Sequence, residues 1–141
     1  MESLIKSVNP KSKQKYRITA YQNIACAHQL TLSYDSPCNR VHGHNYGVWV
    51  TITGAELNSE GMIVDFSKIK SIVREYDHNN LNKLMSPDDQ TQFMNPTAEN
   101  LAREIYFRVK RLFMTDDYKI IIRISETENN IAEFGDLDDK E

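Results

Sequence analysis

The sequence predicts an α+β domain, in the order two strands, two helices, two strands. Three observations predict it. Apolar residues alternate over 16–30 and again over 42–57, they recur at helical spacing over 66–76 and 101–113, and a β-branched run fills 118–125. In the first strand Ile24, Cys26, His28 and Leu30 share one face, because strand side chains alternate. Residues 31–41, with Ser33, Asp35, Ser36, Pro37 and Asn39, have the composition of a loop. The second strand runs from about His42 to Leu57 and puts His42, His44, Tyr46, Val48, Val50 and Ile52 on its inner face.

Asp65 is suited to cap a helix whose Phe66, Ile69, Ile72, Val73 and Tyr76 form an apolar stripe. A polar segment over about 77–94 follows, and Asn95-Pro96 then reads as an N-cap with proline at the first helical position. Behind it Leu101, Ala102, Ile105, Tyr106, Val109, Leu112 and Phe113 make the second stripe. The third strand spans about Tyr118 to Ser125, and a short fourth follows Asn129-Asn130. Residues 1–15, with four lysines and Pro10, read as a flexible arm, 16–135 as a single domain, and 136–141 as a frayed acidic tail.

The length of 141 residues suits one domain with a real core. A formal charge of −3 and a pI near 5.8 argue against a nucleic-acid partner, which selects a strongly basic face. Two cysteines, Cys26 and Cys38, cannot make a disulfide framework and suit a reducing compartment. No apolar run approaches the roughly 20 residues that span a bilayer, and no segment near Met1 resembles a signal peptide. Cytoplasmic location without a membrane partner is the expectation.

His42-Gly43-His44 carries the chemistry. Histidines one residue apart on a strand point to one face, and His28 on the neighbouring strand offers a third imidazole. Three protein ligands with the fourth position open is the arrangement of a catalytic zinc. Buried, hydrogen-bonded histidines are the competing reading, and the pair alone does not decide between them. Three of the four histidines fall in one short window, with Cys38 among them.

The order of short motifs extends this. Ile24-Ala25-Cys26-Ala27-His28-Gln29-Leu30 is followed by Cys38-x-x-x-His42-Gly43-His44-Asn45-Tyr46 and Gly61-Met62-Ile63-Val64-Asp65-Phe66. Asp77-His78-Asn79-Asn80-Leu81-Asn82, Asn95-Pro96-Thr97-Ala98-Glu99-Asn100 and Ser125-Glu126-Thr127 complete the set. Together they resemble the 6-pyruvoyltetrahydropterin synthase / 6-carboxytetrahydropterin synthase family, over about residues 16–135. Three residues between Cys38 and His42 resemble the queuosine-pathway 6-carboxy-5,6,7,8-tetrahydropterin synthases, whereas the pyruvoyl enzymes typically have five. The run Glu126 to Ile131 looks as much like the pyruvoyl branch; the spacing, which places the thiol relative to the metal, carries more weight.

The resemblance implies a substrate, 7,8-dihydroneopterin triphosphate, and a zinc ion on His28, His42 and His44 that acidifies the substrate side chain as a Lewis acid. It implies that Cys38, aided by an Asp77–His78 relay, moves the proton, and that triphosphate leaves by elimination. In the carboxy branch carbon–carbon cleavage then releases acetaldehyde. Glu126 would hold the pterin through its 2-amino and N3 groups, with Thr97 and Glu99 lining the pocket. The implied fold is the tunnelling fold, a four-stranded antiparallel sheet covered on one face by two helices. Such sheets assemble into trimeric barrels and a homohexamer, with active sites between subunits.

Plainer readings stand beside several of these. Cys38 alone fits a small buried hydrophobe, His78 fits a helix C-terminal cap, and Glu99 fits the N-terminal dipole of its helix. Glu126 on an apolar strand demands a partner or ligand. Two residues depart from the family pattern: Cys26 stands where serine or alanine is usual, and Gln29 replaces a basic residue. Cations for the triphosphate are left to Arg40, the lysine-rich arm or a neighbouring subunit. The alternatives are 6-pyruvoyltetrahydropterin synthase and a non-catalytic, zinc-stabilised assembly protein in which Cys26 would supply a fourth ligand.

Overall fold

The computed structural model describes residues 14–85 and 94–138. Its frame is a long antiparallel hairpin, β1 (Tyr16–His28) and β2 (His42–Gly54), paired residue for residue from Tyr16↔Gly54 to His28↔His42. Strand β4 (Lys119–Thr127) pairs with the other edge of β2, and β5 (Asn130–Gly135) pairs with β4. The short β3 (Asn79–Asn80) runs parallel to β1 at the remaining edge, so the sheet order is β3-β1-β2-β4-β5. Helices α1 (Phe66–Arg74), α2 (Leu81–Met85) and α3 (Ala98–Lys110) complete the domain.

Alternation decides which face is covered. Ile24, Val48, Val50, Ile52, Ile122 and Ile124 are fully buried, and they meet Ile69 and Val73 of α1 and Leu101, Ile105 and Val109 of α3 in one core. The α+β class and its four antiparallel strands stand as the sequence predicts. The fifth strand is a correction: Asn79-Asn80 has no β-branched residue to signal it. The free edge of β1 makes it, through the His78 amide donating to Ala25 O at 2.7 Å and the Ala25 amide donating to Asp77 Oδ1 at 2.8 Å.

Other boundaries move for local reasons. The first strand ends at His28, not Leu30, and the second at Gly54, short of Leu57. The polar segment after Tyr76 contains α2, a single turn held by its buried Leu81 and Met85; 86–93 of that segment lie outside the described residues. Thr97, not Asn95, is the N-cap of α3, its hydroxyl accepting from the Asn100 amide at 3.1 Å, and Pro96 lies before the helix. The arm expected over 1–15 is outside the described residues except Gln14 and Lys15.

The tail expected to fray from Asp136 is docked at its first residue. Asp136 accepts from the Tyr106 hydroxyl and from the Ile120 amide, both at 2.9 Å, and its own amide donates to Ile120 O. Tyr106 is buried, so losing this carboxylate strands a phenol and a backbone donor. Asp136→Ala is expected to cost about 1–3 kcal/mol of stability, read as a lowered urea midpoint with an unchanged slope.

Candidate metal centre

The register of the hairpin builds the site. His28 and His42 are direct partners across β1 and β2, and His44 follows His42 on the same face. The three rings pack edge to face, with centroids 4.5 Å apart for His28–His42, 4.9 Å for His42–His44 and 5.2 Å for His28–His44. Their ligand nitrogens lie within 4.8 Å of one another, the only such group of metal-ligating side chains among the described residues.

Proton positions follow from the backbone. His28 Nδ1 is 2.7 Å from Pro96 O, and His42 Nδ1 is 2.7 Å from Arg40 O. A carbonyl only accepts, so each Nδ1 carries the proton and each Nε2 presents a lone pair. Those two Nε2 atoms are 2.9 Å apart. Two lone pairs cannot hydrogen-bond each other, and a pair of facing acceptors fits a shared cation. Burial also holds His28 below the ordinary imidazole range, which favours the neutral, ligating ring. His44 Nε2 is buried without a hydrogen bond, and Glu126 Oε1 stands 3.4 Å away. The donor set, three imidazoles of which His28 and His42 have their outer nitrogens held by backbone carbonyls, fits a divalent metal.

The rest of the candidate site divides. Glu126 continues the inner face of β4 after Ile120, Ile122 and Ile124, beside a break in register between Ser125 and Thr127. It shares a cavity of about 460 Å³ with Glu99, at the start of α3. Thr97, the N-cap, spends its hydroxyl on the helix. Cys38 sits half-buried in the 3₁₀ turn Pro37–Asn39, where Ser36 Oγ accepts from its amide and its carbonyl accepts from the Leu30 amide. Asp77 Oδ2 is 3.6 Å from His78 Nε2, and His78, with a positive φ of 58°, is 83% exposed. His78 shares with His44 a shallow cavity of about 450 Å³ floored by Ala25, Ala27 and Gly43. Among the described residues no hydrogen bond or ion pair joins Cys38 to Asp77 or His78.

Cys26 is not part of the ligand group. Its thiol donates to Tyr76 O at 3.0 Å, and burial, with the Asp77 charge, pushes it up to about 12. Among the described residues the group that could hold a metal is therefore His28, His42 and His44 without Cys26, the fourth ligand that the zinc-stabilised alternative expects. The sequence did not reveal the Pro96 carbonyl or the role of Tyr46. The Tyr46 hydroxyl lies 3.2 Å from His28 Nδ1 under the three rings; its place two residues after His44 on one face was the available signal. A backbone carbonyl such as that of Pro96 leaves no side-chain signal.

Comparison with known proteins agrees with this geometry. Residues 17–136 match the family described as 6-pyruvoyl tetrahydropterin synthase. The chain belongs to that family. It is 31% identical over 119 residues to the 6-carboxy-5,6,7,8-tetrahydropterin synthase of Bacillus subtilis, covering 82% of each chain. A Pyrococcus horikoshii protein provisionally named for the same activity is 36% identical over 129 residues, which is 76% of this chain and 82% of that one. The structure of 6-pyruvoyl tetrahydropterin synthase from Caenorhabditis elegans superposes with a TM-score of 0.67 over 88% of this chain and 97% of that one. At 24% identity this likeness speaks for the fold alone. No helix among the described residues is long and apolar enough to cross a membrane.

One divalent ion per chain is expected in the purified protein. His44→Ala should lose it while keeping the wild-type far-ultraviolet circular dichroism, with metal content read by mass spectrometry. Stoichiometric metal in that variant would remove the triad from metal binding.

Proposed function

We propose that this protein is a zinc-dependent 6-carboxy-5,6,7,8-tetrahydropterin synthase, acting in the biosynthesis of queuosine and related 7-deazapurines. It converts 7,8-dihydroneopterin triphosphate and water to 6-carboxy-5,6,7,8-tetrahydropterin, acetaldehyde and triphosphate. The observation that carries this reading is the pair of bare imidazole nitrogens, 2.9 Å apart, on the sheet face that also bears Glu126.

His28, His42 and His44 hold the metal, and an all-nitrogen set with an open position suits zinc. Bound there, zinc supplies Lewis acidity toward the substrate's side-chain oxygens. Cys38 moves the side-chain proton. A free thiol titrates near 8.5, so it needs a basic neighbour, and the Asp77–His78 pair supplies one. The exposure of His78 and its lack of contact with Cys38 favour a site completed by a second copy of the chain, within a homohexamer of stacked trimeric barrels. Glu126 accepts from the pterin 2-amino and N3 groups, Glu99 stands at the rim of the same cavity, and Thr97 positions that rim by capping α3.

The step from Cys38 to His42 supports the carboxy branch. Arg40, which closes the thiol's turn, gives its carbonyl to His42 Nδ1, so thiol turn and ligand are tied at this spacing. The run from Glu126 to Ile131 favours the second reading, 6-pyruvoyltetrahydropterin synthase, which stops after triphosphate loss and internal redox rearrangement. Incubation of the zinc-loaded protein with dihydroneopterin triphosphate separates the two. The carboxy product with acetaldehyde is expected by mass spectrometry, and a pyruvoyl product without acetaldehyde would select the second reading.

Two variants apportion the roles. Cys38→Ala should retain zinc and bind the pterin while losing product formation, and full activity would remove the thiol from the mechanism. Glu126→Gln keeps the shape but turns one acceptor into a donor facing a donor. At least a tenfold loss of pterin affinity is expected by titration calorimetry, on the order of 1.4 kcal/mol, with zinc content unchanged.

A further inference from the structure

Beyond His28, strand β1 stops, yet the next residues remain paired on both sides of their backbone. Asn82, in α2, accepts from the Gln29 amide at 2.7 Å and donates from Nδ2 to Gln29 O at 2.8 Å. Asn95 repeats the pattern two residues on, accepting from the Thr31 amide at 2.8 Å and donating to Thr31 O at 2.9 Å. A carboxamide offers one acceptor and two donors in a plane, so each side chain substitutes for one residue of a neighbouring strand. Gln29 and Thr31 are two apart, which is the spacing at which an extended segment presents its amide and carbonyl to the same side.

Asn95 also reaches the metal centre through its own backbone. Its carbonyl accepts from the Thr97 amide at 2.8 Å and from Asn100 Nδ2 at 2.9 Å, which ties it to the first turn of α3. The next carbonyl in the chain is that of Pro96, the one that takes the His28 Nδ1 proton. Pro96 is buried, and its fixed φ removes one degree of freedom from that carbonyl. Asn95 therefore binds the chain three residues after the ligand and orients the carbonyl that fixes the ligand's tautomer.

We propose that Asn95, assisted by Asn82, is a positioning residue for the metal centre, holding His28 so that its Nε2 faces the ion. The inference rests on the metal reading of the triad. Loss of the side-chain clamp unties the exit of β1 from the segment that carries the Pro96 carbonyl, which the Asn95 backbone still anchors to α3, so that His28 and its tautomer-fixing partner no longer move as one unit. Outer partners of metal-ligating histidines typically contribute about 10–100-fold to metal affinity, and the effect expected here lies in that range.

The test compares full-length wild type, Asn95→Ala, Asn82→Ala, His44→Ala and Asn58→Ala. Asn58 accepts from the Glu60 and Met62 amides in a loop outside the site, so it reports what losing an asparagine turn costs in stability alone. Zinc affinity is measured by competition with a chromophoric chelator, the visible spectrum of the cobalt(II) form reports ligand geometry, and thermal melts report stability. Asn95→Ala is expected to bind zinc at least tenfold more weakly, with an altered cobalt spectrum, and Asn82→Ala to fall between it and wild type. Asn58→Ala should lower the melting temperature and leave affinity and spectrum unchanged. Wild-type affinity and spectrum in both Asn95→Ala and Asn82→Ala would overturn the clamp while leaving the metal site standing. Zinc binding by His44→Ala equal to wild type would overturn the metal reading itself. Should Asn95→Ala fail to fold, Asn82→Ala decides alone by the same two readouts.

Discussion

Two unprotonated imidazole nitrogens 2.9 Å apart repel each other, and one of them belongs to a fully buried ring. Left to themselves the rings would rotate or one would take up a proton. Both Nδ1 atoms are held by carbonyls, which resists rotation, and burial disfavours charge on His28. The repulsion is borne by the scaffold, a thirteen-residue ladder between β1 and β2 that fixes His28 opposite His42. A cation held by these nitrogens would turn that repulsion into ligation. This is preorganisation in the sense used for catalytic sites, where the cost of alignment is met during folding.

The same ladder explains why the centre lies at the end of the core. Down the inner face of β2 the residues run Ile52, Val50, Val48, Tyr46, His44, His42, and down β4 they run Ile120, Ile122, Ile124, Glu126. Each strand passes from apolar to polar side chains toward the same end of the sheet. Tyr46 marks the crossing, with its ring buried in the core and its hydroxyl against His28. Burial and the nearby Glu126 charge push that phenol upward, so it stays a neutral hydrogen-bonding group beneath the imidazoles. The outer face is different in kind. Tyr21 packs on Trp49 at 4.7 Å, Arg123 stacks over Trp49, and Thr19 meets Thr51.

What the sequence revealed follows from this architecture. Alternation made the inner stripe of β2 legible, and with it the shared face of His42, His44 and Tyr46. Helical spacing located α1 and α3. Alternation could not show Asn79-Asn80 as a strand, because its pairing is created by Asp77 and the free edge of β1 rather than by its own side chains. The Asn95-Pro96 signal was misplaced by two residues. Both Asn95 and Thr97 are good N-cap types, and only the hydrogen bonds distinguish the cap at Thr97 from the strand-like clamp at Asn95. Cys38 was legible as a residue near the ligands, but what its thiol meets depends on contacts that no spacing encodes.

Charge orients the substrate under the proposed reading. Glu126 and Glu99 share one cavity, and the Glu126 carboxylate stands 3.4 Å from His44 Nε2. Lone pairs and carboxylates thus converge on one region, which is hospitable to a cation and to N–H donors and hostile to an anion. A pterin ring meets that demand at its 2-amino and N3 edge, whereas a triphosphate cannot. The ring must therefore enter toward Glu126, its side chain pass the three histidines, and its triphosphate project away from both glutamates. The exposed side chain of Arg40 follows the turn that carries Cys38. An anionic tail leaving toward Arg40 would run along the turn that carries Cys38, which is the side on which the proposed mechanism needs the thiol.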